Sequence, residues 1–293
     1  MVIFGLSFVW FKDAYLAYRP LTVVFTRLTI AGVLLDLLLR VQGRNQKVQP
    51  GDRKWFMLMA FFEPFLYFIG ESFGMQRVSP TLGAVIICTI PLITPAFAWM
   101  IVKERIDRWG VLGLVASFLG ILATVWDEGI GGGSLAGLGF LAISVFAAVG
   151  YTLIVKSLAG RYSSLFIVKM MCQYAAVYFL PLFLIFELKH VLATPLHPTA
   201  AFAILKMAVL ASGLAYVCLT TTIRNIGINN TNLFTFLIPV TAAIFSHFAL
   251  GTAIGPHQMV GILMVGLGLV VSQLPWLHRE LRRRRNQPPA ALS

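Results

Sequence analysis

A chain of 293 residues in which 58% are hydrophobic and only 12% charged departs far from a soluble globule, where about a quarter of residues carry charge. Its mean hydropathy of +0.84 points the same way. The formal charge of +12 gathers at the ends of apolar runs rather than along one face, which argues against a nucleic-acid partner and for a lipid bilayer.

The sequence predicts an all-α membrane protein with ten spans, at approximately 1–18, 21–39, 55–74, 81–102, 109–126, 135–155, 165–187, 201–222, 229–250 and 257–277. Roughly 20 apolar residues cross a hydrocarbon core of about 30 Å. The first run is short, because MVIFGLSFVWF offers only eleven residues before Lys12. Either that helix continues through Lys12 to Tyr18, or the start codon lies inside a longer span, and the second is the working expectation. No small-residue cleavage site follows it. The third run, Trp55–Gly74, is interrupted by Glu63 and Glu71. The fourth and fifth, Thr81–Val102 and Trp109–Trp126, flank a charged turn, Lys103-Glu104-Arg105-Ile106-Asp107-Arg108, that cannot lie in lipid. Gly129–Gly133 and Pro195–Pro198 are loops, since Gly and Pro punctuate helices. Connections are short, so neighbouring spans should be antiparallel.

Basic residues orient the chain. With the N-terminus inside, the inner segments hold sixteen, namely Arg40, Arg44, Lys47, Arg53, Lys54, Lys103, Arg105, Arg108, Lys156, Arg161, Arg224, Arg279 and Arg282–Arg285. The outer loops hold four, Lys12, Arg19, Arg77 and Lys189. That bias predicts both termini in the cytoplasm.

The chain also repeats itself. A shift of 148 positions carries Ile90-Pro91 onto Ile238-Pro239, Phe97 onto Phe245, Gly113 onto Gly261 and Gly120 onto Gly268. The opening spans of each half run similarly, from GLSFVWFKDAYLAYRPLTVVFTR to VGYTLIVKSLAGRYSSLFIVK, so that Lys12 answers to Lys156 and Arg27 to Lys169. The expected units are two five-helix repeats, 1–127 and 135–277, and a basic cytoplasmic tail, 278–293. Five spans per half would make the second copy enter the membrane in the opposite sense. Such inverted repeats are a device of alternating-access transporters, with the site at the repeat interface near the midplane.

The residues Gly5-Leu-Ser-Phe, Lys12, Arg27, Glu71-Ser-Phe-Gly-Met, Pro91, Lys103-Glu104-Arg105 and the Gly113/Gly120 spacing, taken in that order, resemble the EamA family of the drug/metabolite transporter superfamily. The resemblance covers nearly the whole chain. It implies ten helices in two inverted five-helix repeats and export of amino acids or other small metabolites. One departure is Thr252, which stands where the family turn usually carries Glu; this suits a structural charge pair at a helix end for Glu104.

Glu63, Tyr67 and Glu71 recur at i, i+4 and i+8, a single stripe on an unbroken helix. A carboxyl in low dielectric takes up a proton more readily, so this stripe suits proton coupling or a substrate amine; its bland rival is pairing of Glu71 with Lys12 or Arg27. Arg27 and Lys169 could hold a substrate carboxylate or phosphate, or else pair with Glu63 or Glu71 or snorkel to an interface. Trp10, Phe11, Tyr67, Phe68, Tyr151 and Tyr216 could wall a cavity, and Asn232 could reach substrate from the ninth span; lipid contact, core packing and helix capping are the structural alternatives. Pro91 and Pro239 remove helix hydrogen bonds and could act as kinks or hinges. Asp36 and Arg40 form an i, i+4 pair by spacing.

Cys88, Cys172 and Cys218 all fall in apolar runs without metal-ligand spacing, so free thiols and no metal are expected. No HExxH, GxSxG or GxxxxGK[ST] pattern occurs, which leaves no catalytic residue and no cofactor to assign. The function that fits is secondary transport of small metabolites across a bacterial cytoplasmic membrane, by a monomer or homodimer. A passive facilitator or channel and a membrane scaffold or receptor remain as alternatives.

Overall fold

A computed structural model describes residues 1–78, 80–124, 134–238, 240–241, 244–245 and 256–285; side chains at 8, 80–82, 84, 124, 258 and 273–285 lie outside the description. The described residues form helices and short connections, with no strand. In chain order the helices are α1 Val2–Ala14, α2 Pro20–Val41, α3 Arg53–Met75, α4 Pro80–Ile87, α5 Ile90–Val102 and α6 Arg108–Thr124. They continue with α7 Leu135–Ala159, α8 Ser164–Phe186, α9 Leu188–Ala193, α10 Pro198–Ile226, α11 Ile228–Leu233 and α12 Pro256–Arg285. Six stretches are long and apolar enough to span a bilayer: α2, α3, Val85–Val102, α7, α8 and α10. Arg108–Ala123 and Met259–Ser272 are shorter apolar helices, and α1 runs on past Lys12 to Ala14. The segment expected as a tail from 278 continues α12 as helix to Arg285.

Helix ends follow local chemistry. Pro20 opens α2 where a missing N–H costs nothing. Ser134 Oγ accepts from Gly137 N–H at the start of α7, and Ser163 Oγ accepts from Phe166 N–H at the start of α8. Asp107 Oδ1 accepts from Gly110 N–H at 2.7 Å and so caps α6. Other caps come from far away. Glu187 accepts from Leu21 N–H and from the Thr22 N–H and hydroxyl, a carboxylate on the positive end of α2.

The helices pack mainly across the two halves of the chain. α1 lies on α10, α2 on α8, α3 on α7, α5 on α11 and α6 on α12. α2 and α8 are antiparallel, since Glu187 meets the start of α2 while Lys169, near the start of α8, meets Asp36 near the end of α2. The main core joins α2, α3, α7, α8 and α10 through Leu28, Phe56, Met59, Tyr151, Phe166 and Ile167. A second core, with Leu114, Ile121, Val265 and Leu269, lies between α6 and α12. There the helices approach backbone to backbone: a Cβ on Gly113 would stand 2.5 Å from the Gly268 carbonyl, and one on Gly120 would stand 2.8 Å from the Gly261 carbonyl. Small residues permit such approach where a hydrophobic force between helices is lacking. Facing outward are apolar bands such as Val33 and Leu37 on α2 and Leu263, Leu267 and Val270 on α12, the surfaces lipid would cover.

One expectation changes here. The fourth span is not one helix kinked at Pro91. It breaks at Cys88-Thr89, and Pro91 sits in the first turn of α5, where it removes no helical bond; the proline inside that helix is Pro95. Pro239 lies outside the described residues. Cys88, Cys172 and Cys218 are free thiols, and Arg40 Nε meets Asp36 Oδ2 at 2.7 Å.

Candidate functional site

α3 is built in three pieces: a regular helix to Ala60, a wider π-type turn from Phe61 to Leu66, and regular helix again from Tyr67. Inside the wide turn Glu63 leaves helical geometry altogether, at φ −140° and ψ 125°, just before Pro64, which has no N–H to give. This corrects the single-stripe expectation. Tyr67 and Glu71 do remain one turn apart, and the Tyr67 hydroxyl donates to Glu71 Oε1 at 3.1 Å. Glu63 turns away to α10, where its Oε1 accepts from the Tyr216 hydroxyl at 2.8 Å. The Tyr216 ring meets Phe4 of α1 and Tyr151 of α7 edge-on, with centroids 5.2 and 6.3 Å apart. One broken helix thereby brings four elements together around two carboxylates.

Arg27 completes the group. Its residue is 4% exposed, deep on the buried side of α2. Its Cζ lies 5.1 Å from the ring centre of Phe11 and 4.8 Å from that of Phe68. Phe68 in turn packs edge-on against Tyr67. Glu71, Tyr216 and Cys172 are within electrostatic reach of the guanidinium. Yet none of the ion pairs among the described residues includes Arg27, and its Nε has no hydrogen-bond partner there. Ser212, from a second π-type stretch at Met207–Ala215 of α10, is fully buried with its hydroxyl also unpartnered, and its carbonyl faces Cys172 Sγ at 3.9 Å. Nothing in the sequence singled Ser212 out except a hydroxyl between Ala211 and Gly213.

Other candidates stand elsewhere. Lys12 is exposed, because α1 turns the neighbouring Phe11 inward to Arg27; it makes no ion pair with Glu71. Trp10 packs on the small core of Ala14, Val23, Ala203 and Met207, with Lys206 Nζ 5.4 Å from its ring centre. Lys169 is not a second Arg27. Its ammonium is held by Asp36 at 3.2 Å and Asn45 at 2.9 Å, over the Phe166 ring, in a structural cluster near the end of α2. Asn232 is buried on α11, which packs on α5, and no hydrogen bond ties its side chain to the Arg27 group.

Elsewhere a carboxylate clasp closes the turn before α11. Glu104 accepts the backbone N–H of Ile228 at 3.1 Å and of Asn229 at 2.8 Å, and Lys156 Nζ lies 3.8 Å from the same carboxylate. Lys156 also donates to the Ile223 carbonyl at the end of α10. The expected charge pair at a helix end is therefore present, and the cap on this helix is Glu104 rather than an asparagine side chain.

The model of the EamA-like transporter family matches residues 1–126 and 135–273, nearly the whole chain. The chain belongs to the EamA-like transporter family. As such it is an integral membrane protein of transport function, and its apolar helices are transmembrane helices. Similar chains include "Uncharacterized transporter YyaM" of Bacillus subtilis (strain 168), 26% identical over 269 residues and covering 83% of this chain and 80% of its own length. "Uncharacterized transporter YoaV" of the same organism is 22% identical and covers 96% of each chain. A crystal structure of another protein superposes with a TM-score of 0.76 at 16% identity, covering 93% of this chain and 97% of that one, so the fold is shared.

Proposed function

We propose that this EamA-like protein is a secondary transporter that moves a small metabolite, amino acids among the candidates, across a bacterial cytoplasmic membrane by alternating access. Its solute would bind among Arg27, Glu63, Tyr67 and Glu71, with the two carboxylates available for proton coupling. One observation carries the reading: among the described residues two carboxylates held only by phenols and a guanidinium with no ion-pair partner meet at a broken transmembrane helix. Unpaired charge inside a membrane protein is costly and belongs to solute or proton pathways more than to packing.

The repeat supports the same reading. Helix pairs α1 with α10 and α3 with α7, and α2 with α8, exchange into one another when the two halves are swapped. The Gly113–Gly268 contact becomes Gly261–Gly120 under the 148-residue shift. The wide turn 61–66, shifted by 148, gives 209–214, inside the π-type stretch Met207–Ala215. These correspondences favour ten spans in two inverted repeats, 1–127 and 135–277, and the bias of basic residues favours both termini in the cytoplasm. Broken helices at the repeat interface are where such transporters hold solute and coupling ion.

The test is counterflow. Purified protein in vesicles, preloaded with unlabelled amino acid, nucleoside, sugar or cationic drug, should accumulate the labelled form of at least one of them saturably. Accumulation should change when a pH gradient is imposed. Linear, non-saturating flux would replace the transporter by a facilitator.

A further inference from the structure

We infer that Arg27 is an anion-binding residue and that the solute taken by this site carries a carboxylate on an apolar or aromatic body; the inference rests on the transport reading only in calling that ligand the solute. Among the described residues the cations that ion-pair between distant segments are answered by oxygen, while the half-buried Lys206 lies over the Trp10 and Phe202 rings. Lys169 has Asp36 and Asn45, Arg161 has Asp52, and Lys156 has Glu104 and a carbonyl. Arg27, 4% exposed, has two phenylalanine rings. Ring faces attract a cation but leave its N–H hydrogen bonds unmade. A buried charge without a hydrogen-bonded counter-ion is strongly unfavourable, so such a residue is completed by something the chain does not supply.

The carboxylates nearby do not fill that role. Glu63 accepts from Tyr216, Glu71 accepts from Tyr67, and neither comes within ion-pair distance of Arg27. The planar fork of a guanidinium matches a carboxylate through two parallel bonds. Phosphate matches it too, but its second charge would have to lie beside the Glu63 and Glu71 carboxyls, so the singly charged group is the better fit. Phe11, Phe68 and the adjoining Tyr67 ring then offer apolar surface for the body of the molecule.

Matched pairs test this directly: benzoate against benzamide, phenylacetate against phenylacetamide, and phenylalanine against phenylalaninamide. Each is titrated onto the detergent-solubilised full chain and followed by thermal shift. The carboxylates should bind at least about tenfold more tightly than their amides, the scale of one charge-assisted bidentate contact. Arg27→Gln should erase the difference, and Arg27→Lys should keep only part of it. If Arg27→Gln does not fold, the wild type and Arg27→Lys decide the matter on the same criterion. Equal binding of acid and amide by the wild type, no binding of either, or a preference that survives Arg27→Gln would overturn the assignment. Counterflow of the same compounds is scored separately. Arg27-dependent binding without movement leaves the anion site standing and fails the transport reading; movement without carboxylate preference does the reverse.

Discussion

Glu71 and Glu63 differ in ways a single substitution can expose. Glu71 bonds to a residue of its own helix, so Glu71→Gln keeps an oxygen for the Tyr67 hydroxyl and breaks no ion pair. Its melting temperature should stay near wild type while counterflow loses its dependence on external pH. A fall in melting temperature with normal transport would make Glu71 a structural residue. Glu63 bonds across to α10, so Tyr216→Phe strips a partly buried carboxylate of its donor. That variant should lose about 1–3 kcal/mol of stability, read as a lower melting temperature, with a shifted pH profile of transport. At this scale the sequence was informative where a polar side chain interrupts an apolar run, as Arg27, Glu63 and Glu71 do. It misled at Lys12 and Lys169, since whether such a cation faces a site depends on which helix packs beside it. Asp36, which claims Lys169, lies 133 positions away.

At the scale of elements, the apolar runs announced the spans, and the breaks between and within them were harder to see. A π-type turn contains the same residues as an α-turn and differs only in register, so neither Phe61–Leu66 nor Met207–Ala215 left a mark beyond Pro64. The Glu104 clasp was half legible: its charge fitted a helix end, but the end belongs to α11, 124 positions on. Glu104→Ala should cost about 1–2 kcal/mol through the lost cap. Gly227→Ala should cost at least as much. Gly227 holds φ at +89°, and a Cβ there would stand 2.7 Å from the Glu104 carboxylate. Thermal melts of the two variants and the double variant check this, and non-additive losses are expected because both act on one contact.

For the whole molecule, orientation is the sharpest expectation. Reporter fusions after Arg285 and within the Arg44–Lys54 loop should both report cytoplasm, and a signal from the other side at either place would overturn the proposed topology. The α6–α12 crossing is the other global feature: Gly113→Leu or Gly268→Leu should prise the helices apart and cost about 1–3 kcal/mol from overpacking. That crossing also bears on how the chain is made. Its two glycine faces are separated by about half the sequence, so α6 leaves the ribosome long before α12 exists. Until α12 is inserted, α6 must wait in lipid without the helix it packs against most closely. This crossing therefore forms only once α12 has been made. A nascent chain stopped before Pro256 should persist in the membrane as a substrate for quality-control proteolysis rather than as a smaller working protein.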